Sequence, residues 1–224
     1  MGYRSNGVNT GGLPIDYIKP FVEQYEIKVF IETGTAGGDS VRKAADMFEV
    51  CHTIEIVKSR PVDLVPFPEN VFLHEGDSGE LLKGIAKPYK GERILFWLDA
   101  HWSEDYESTD KENECPLIRE IQAIKGHDAL VLIDDARLFL GPHPWPCDYR
   151  YWPQFQDVFN ALRDSFPRHR ITIVDDYIVA IPDYMDDTFR IEWWDRFKVR
   201  YPEGDQVIKS ELRHVVEYFK KFIE

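Results

Sequence analysis

Two apolar runs late in this chain, at 170–175 (RITIVD) and 177–182 (YIVAIP), meet at Asp175 and Asp176. Two residues are too few for the crossover that joins parallel strands, so the pair must form an antiparallel hairpin. The earlier runs are spaced differently: 28–33 (KVFIET), 50–56 (VCHTIEI), 70–75 (NVFLHE), 93–99 (RILFWLD) and 129–135 (ALVLIDD). The best of them are nearly continuous hydrophobics rich in Val and Ile, the pattern of strands buried on both faces of a parallel sheet. Helical spacing fills the gaps. Val41, Ala44, Ala45 and Phe48 repeat at i, i+3, i+4 and i+7. Leu117, Ile118, Ile121 and Ile124 make a second stripe, and Phe155, Val158, Phe159 and Leu162 a third. Residues 13–25 read as an N-terminal helix and 78–86 as a short one. The alternation predicts right-handed βαβ crossovers and a doubly wound α/β sheet with helices on both faces, closed by one antiparallel strand.

With 224 residues the chain is sized for one large domain, or one domain with an appendage. We expect the domain over 1–183, N-terminal helix included, and an appendage rather than a second domain over 184–224. From Tyr184 the sequence turns acidic and aromatic (YMDDTFRIEWWDRF) and reads as helical from about 206 to 224. A tail of this kind packs on its own domain or makes a homo-oligomer contact. The chain has 27 Lys and Arg against 40 Asp and Glu, a net charge of −13. That disfavours nucleic acid and anionic membrane as partners, since both demand a basic surface. Cys51, Cys115 and Cys147 are odd in number, widely spaced and without a CxxC pair, so neither a disulfide framework nor a zinc site is expected. The first residues, MGYRSNGVNTGG, hold no apolar core of a signal peptide. No apolar run approaches the ~20 residues of a membrane span. A soluble, cytoplasmic protein is the expectation.

Acidic residues fall at or just past the C-terminal ends of the runs: Glu32, Glu55, Asp77, Asp99, Asp134 and Asp135. In an open α/β sheet, ligands bind outside those ends. A row of carboxylates there suits a cationic ligand, a divalent metal or both, although any one of them can be a helix cap or turn residue. The first turn reads Glu32-Thr33-Gly34-Thr35-Ala36-Gly37-Gly38-Asp39-Ser40. Its glycines permit close backbone approach to a ligand, or merely a tight strand-to-helix turn. The G-x-G-x-x-G dinucleotide fingerprint is absent. Glu55 ends the second run, where an acid accepts hydrogen bonds from a ribose diol. Together these features point to a nucleoside-type ligand.

At these residues the chain resembles the class I S-adenosylmethionine-dependent methyltransferases, and within them the metal-dependent catechol and caffeoyl-CoA O-methyltransferase type. ETGTAGGDSV is similar to that group's E-x-G-x-x-x-G-x-S motif through Glu32, Gly34, Gly38 and Ser40. TIEI places Glu55 at the ribose acid, and EGDS (75–78) lies where the group contacts adenine. LDAHW (98–102) resembles the strand ending in a metal-binding aspartate followed by His-Trp, and IDDA (133–136) the Asp-Asn metal pair. The resemblance covers residues 28–182. It implies a Rossmann-like seven-stranded sheet of order 3-2-1-4-5-7-6. It implies an S-adenosyl-L-methionine site drawn from Glu32, Gly34, Thr35, Gly38, Ser40, Glu55, Asp77, Ser78 and Asp99, with Asp77 or Ser78 on the adenine amino group.

Methyl transfer is an in-line displacement that needs proximity and an activated nucleophile. Asp99, Asp134 and Asp135 are oxygen donors suited to Mg²⁺, Mn²⁺ or Ca²⁺, and such an ion lowers the pKa of a bound hydroxyl. The chain departs from the group's pattern in three places. Ala100 separates Asp99 from His101, Ser103 stands where a catalytic lysine is expected, and the Asp-Asn pair is Asp-Asp. Asp99 and His101 are the catalytic candidates. His101 can be a general base, a metal ligand or a ring packed on Trp102. Arg137 either binds an anionic substrate or neutralises Asp134 or Asp135. Acceptor specificity should lie in the long segments 100–113 and 137–153. The first contributes His101 and Trp102. The second contributes Arg137, Trp145 and Tyr149 beside His143, Arg150, Tyr151 and Trp152. Its aromatics can stack on a sugar or aromatic acceptor, cover the core, or make a subunit contact; Trp193 and Trp194 are expected to pack. The expected function is O-methylation, metal-assisted, of a small hydroxylated molecule or glycan. Two alternatives stand beside it: a metal-dependent nucleotide-sugar glycosyltransferase using Asp99-Ala100-His101 as a D-x-H motif, and a non-catalytic methyltransferase-like binding subunit.

Overall fold

The structure is a computed structural model that describes residues 12–56, 66–101, 114–141 and 149–200, apart from the side chains of 149 and 197–200. The chain divides into two compact units, Met1–Met185 and Asp186–Glu224. In the first, seven strands form one sheet in the order β3-β2-β1-β4-β5-β7-β6. The strands are β1 (Val29–Thr33), β2 (Val50–Glu55), β3 (Val71–Glu75), β4 (Arg93–Leu98), β5 (Asp128–Ile133), β6 (His169–Val174) and β7 (Tyr177–Pro182). The first five pair in parallel, whereas β7 runs antiparallel to both β5 and β6. This is the doubly wound, Rossmann-like order expected, and the Asp175–Asp176 hairpin forms as the two-residue spacing requires.

Helices α1 (Ile15–Tyr25), α2 (Asp39–Ala45), α3 (Ser78–Ala86), α4 (Leu117–Ala123) and α5 (Phe155–Ser165) surround the sheet. Successive residues of a strand point to opposite faces. Val29, Ile31, Ile94, Phe96, Val131 and Ile133 therefore share one face, where they form a core with Leu82 of α3, Ile121 of α4 and Leu162 of α5. Phe30, Trp97, Leu130 and Leu132 share the other; there Phe30 meets Phe48 just past α2, and Trp97 meets Tyr177. β4 is fully enclosed from Ile94 to Leu98, as its unbroken apolar sequence demands. β3 lies at the sheet edge and is only half covered, with Phe72 49% exposed. Among the described residues no helix is long and apolar enough to cross a membrane.

In the second unit, α6 spans Asp186–Arg200. The sequence did not announce it, because Phe189, Ile191, Trp193 and Trp194 follow no 3.6-residue stripe. An i,i+4 pair, Arg190 Nε to Asp186 Oδ2 at 2.7 Å, supports its first turns. The helix expected from about 206 lies outside the described residues.

The exits of β1 and β4 press together. Gly34 has a left-handed φ of 80°, and a Cβ added there would lie 2.4 Å from the Asp99 carbonyl oxygen. No side chain fits, because the clash is with backbone that is itself laddered: the Asp99 amide donates to the Thr33 carbonyl at 3.0 Å. At Gly37, three residues on, an added methyl would meet nothing within 4 Å, and φ is not positive. Gly34→Ala is expected to lose about 2–3 kcal/mol of stability in urea unfolding, and Gly37→Ala no more than about 0.5 kcal/mol. Equal losses would show that the close approach does not constrain the fold.

Candidate active site

Sheet alternation puts Glu32, Glu55, Asp99 and Asp134 on the same side as Phe30, Trp97 and Leu132. Glu32 is 1% exposed and Glu55 5%. Register sets Thr53 opposite Glu32, and the Thr53 hydroxyl donates to Glu32 Oε2 at 2.6 Å. The Thr35 and Thr53 hydroxyls are 2.6 Å apart. Since the one Thr53 proton is spent on Glu32, Thr35 is the donor in that contact. Burial pushes the Glu32 pKa well above the usual carboxylate range; the Thr53 bond opposes this, and the negative charges of Asp99 and Glu55 add to it. Glu55 Oε2 accepts from the Ala36 amide at 2.9 Å, so the expected ribose acid also braces the turn, whose Ala36 has a φ of 45°.

The other first-turn residues hold chain to chain. Gly38 opens α2 with a φ of 78° and no side-chain cap. Ser40 Oγ accepts from the Leu13 amide at 3.2 Å, tying α2 to the segment before α1. Gly34 faces the Asp99 backbone, as described. Asp77 acts as the N-cap of α3, accepting from the Gly79 amide at 2.8 Å, and it pairs with Arg119 of α4 at 3.1 Å. The Ser78 hydroxyl donates to Glu120 Oε1 at 2.5 Å inside the protein. Asp77 and Ser78 thus join α3 to α4 at the place where adenine contact was expected.

Past β4 and β5 the carboxylates gather. The Asp134 amide continues the ladder onto the Leu98 carbonyl. Asp135 follows in a left-handed conformation, φ 54°, which turns its carboxylate back toward β4. His101 Nε2 lies 3.3 Å from Asp99 Oδ1 and 3.2 Å from Asp135 Oδ2. Burial acts to lower the His101 pKa, but bonding to Asp135 and Asp99 and their charges outweigh it and hold the ring well above its ordinary value. With Asp99 and Asp135 on either side of Nε2, the surroundings favour the protonated form of the ring over the free base. Burial, then repulsion from Asp99 and Asp135, pushes Asp134 up to about 7. Burial also raises Asp99, against the pull of His101. Asp135 moves the other way: burial would raise it, but His101 and Arg137 prevail. Arg137 Nη1 reaches Asp135 Oδ1 at 2.7 Å and also contacts Asp176 Oδ2. The neutralising reading of Arg137 is the one its geometry supports.

The proposed metal donors are of the right chemistry, but they do not fit an ion as they stand. Among the described residues no group of three or more His, Cys, Asp or Glu side chains is placed to hold one. His101 reaches between two of the carboxylates, and Asp134 Oδ1 is turned onto the Asp135 amide at 2.7 Å. Asp99 and His101 pair with each other, which is not how a D-x-H motif presents its donors.

Three contributors escaped sequence reasoning. Asp176 looked like a plain turn residue, yet it holds both the side chain and the amide of Arg137. Glu120 stands outside the apolar stripe of α4, yet it is 1% exposed. Glu114 accepts a hydrogen bond from the Trp152 indole, whose ring lies against His101. No local signal marks any of them, because each partner is 38 or more residues away. Trp102, Ser103, His143 and Trp145 and the side chain of Tyr149 lie outside the described residues, so the structure does not place these expected acceptor contacts.

No family model matches the sequence, and no curated protein matches it. Among solved structures, the chain is similar to a Staphylococcus aureus protein assigned as a caffeoyl-CoA O-methyltransferase: 18% identity, 74% of this chain and 80% of that one covered, TM-score 0.47. A Klebsiella pneumoniae protein assigned as an O-methyltransferase gives 18% identity, 74% and 78% coverage and a TM-score of 0.48. A SAM-dependent methyltransferase from Anabaena variabilis gives 10% identity, 76% and 86% coverage and a TM-score of 0.45.

Burial raises the Glu120 pKa to about 7 from an ordinary 4.5, with Ser78 and Thr33 opposing. The folded state therefore binds a proton more tightly than the unfolded chain. The stability linked to that proton is full below about pH 4.5 and is lost as pH rises toward 7, on the order of 3 kcal/mol. Glu120→Gln should flatten the decline of unfolding free energy across that window. An unchanged slope would show that Glu120 is ionised in the fold at the lower pH.

Proposed function

We propose that the chain is an S-adenosylmethionine-dependent methyltransferase that methylates an oxygen of a small hydroxylated molecule or glycan. The observation that carries the reading is Glu32. It is a carboxylate buried at the carboxyl end of β1, and the charges acting on it, Asp99 and Glu55, are both negative. Such a group is costly without a cation, and the α-ammonium and sulfonium of S-adenosylmethionine are cations of the right kind. Glu55, beside it, is the acid for the ribose. Both residues lie at the carboxyl ends of parallel strands, and ligands of such sheets bind just outside those ends.

In the transfer, a lone pair of the acceptor attacks the methyl carbon, the carbon–sulfur bond breaks, and the sulfonium becomes a neutral thioether. The acceptor proton passes to a base. Asp134 is the carboxylate tuned for that task, since a base works best with a pKa near the operating pH. His101, between Asp99 and Asp135, orients that end of the site, and in its protonated form it offers a charge to a developing alkoxide. No step is routed through a metal ion, because the described carboxylates do not fit one as arranged. Oxygen as the acceptor atom rests on the sequence resemblance.

Calorimetric titration with S-adenosylmethionine tests the cofactor. Micromolar binding at one site per chain is expected, weakened at least about tenfold in a folded Glu55→Gln variant, one lost charged hydrogen bond. Asp134→Asn should keep that binding and lose transfer of labelled methyl to catechol and glycan panels. No binding by folded wild-type protein overturns the reading.

A further inference from the structure

Trp152 joins two parts of the chain that the proposed chemistry leaves unconnected. It and Glu114 are each 6% exposed. The indole Nε1 donates to Glu114 Oε2 at 2.9 Å. The same ring lies against His101, with centroids 5.4 Å apart and planes at 45°, and against Phe139 at 6.0 Å. His101 and Glu114, the described residues on either side of 102–113, thus share one contact residue.

The choice of acceptor is informative. An indole N–H in a core can be satisfied by a backbone carbonyl or a water. Here it is met by a buried carboxylate, which is costly to desolvate and forms a stronger and more directional bond. The result is a Trp ring fixed in plane, and a fixed ring restricts how the imidazole resting on it can rotate. That matters because His101 Nε2 sits between the two carboxylates, 3.3 Å from Asp99 Oδ1 and 3.2 Å from Asp135 Oδ2. A small rotation of the ring would favour one carboxylate over the other. Site geometry held within fractions of an ångström needs support of this kind from neighbours whose own rotamers are locked.

We propose that Trp152 is the positioning residue for His101 and that Glu114 sets Trp152, so that Glu114 governs the orientation of His101 through the indole. The catalytic meaning of this rests on the methyl-transfer reading; the geometry does not.

The test is NMR of the full chain labelled with ¹⁵N at His and Trp. The Trp152 indole signal is assigned by its loss in Trp152→Phe, and the His101 ring signals by their loss in His101→Gln. In wild-type protein the Trp152 indole proton should exchange slowly. Glu114→Gln keeps the size and an acceptor oxygen but removes the charge. It should shift the indole signal, speed its exchange, and move the His101 ring signals while the other histidines stay in place. Glu114→Asp, which withdraws the carboxylate, should do the same and serves if the Gln variant does not fold. A purely structural role moves the indole alone, so unmoved His101 signals in the folded variant overturn the proposal. S-adenosylmethionine affinity should be unaltered by either substitution. Failure of the wild-type protein to bind it would defeat the function proposed above and leave the positioning role standing on the His101 signals.

Discussion

Everything at the carboxyl edge of this sheet depends on how closely β1 and β4 leave it together. The absent side chain of Gly34 lets the turn after β1 pass against the Asp99 backbone. A chain forced wider by one methyl would lift Glu32 and Asp99 apart. With the contact in place, the ladder runs one residue beyond each strand, through the Asp99 and Asp134 amides. Acids that are distant in sequence are then carried into one another's fields.

Those acids fall into two sets. Asp135 belongs to a compensated set, with His101 and Arg137 supplying positive charge and Asp176 anchoring Arg137. Glu32 and Asp134 belong to the other, where burial and neighbouring carboxylates raise the pKa. The compensated set makes a fixed scaffold. The uncompensated set is where a cation or a proton is to be gained. A site that binds a sulfonium cofactor and takes a proton from its acceptor needs both kinds, side by side. Only a low-dielectric setting keeps the two kinds distinct over such short distances.

The sheet was legible because its signals are local. Unbroken apolar runs, a two-residue hairpin and helical stripes each fix one element, and together they leave one strand order consistent with the resemblance. The acids at strand ends were legible for the same reason. What they do was not. The contacts of Asp77 and Ser78 with Arg119 and Glu120 of α4, for example, are set by helix packing and left no mark in the sequence. His101 was open to several roles, and its nearness to Asp135 accompanies a left-handed turn at that residue, a backbone state that no residue pattern announces. α6 carries no amphipathic stripe and so left no trace in the periodicity.

The position of β7 has a consequence for how the protein is made. Strands β5 and β6 are not neighbours; β7, the last of the seven to be synthesised, inserts between them. Until residues 177–182 emerge, the edge of β5 carries Val131, Leu132 and Ile133 with unpaired backbone. An open apolar edge is a template for pairing with another chain. The same interval leaves Arg137 without Asp176. The nascent domain therefore passes through a stage that holds most of its core, lacks its active edge, and is at its most adhesive just before the final strand closes it.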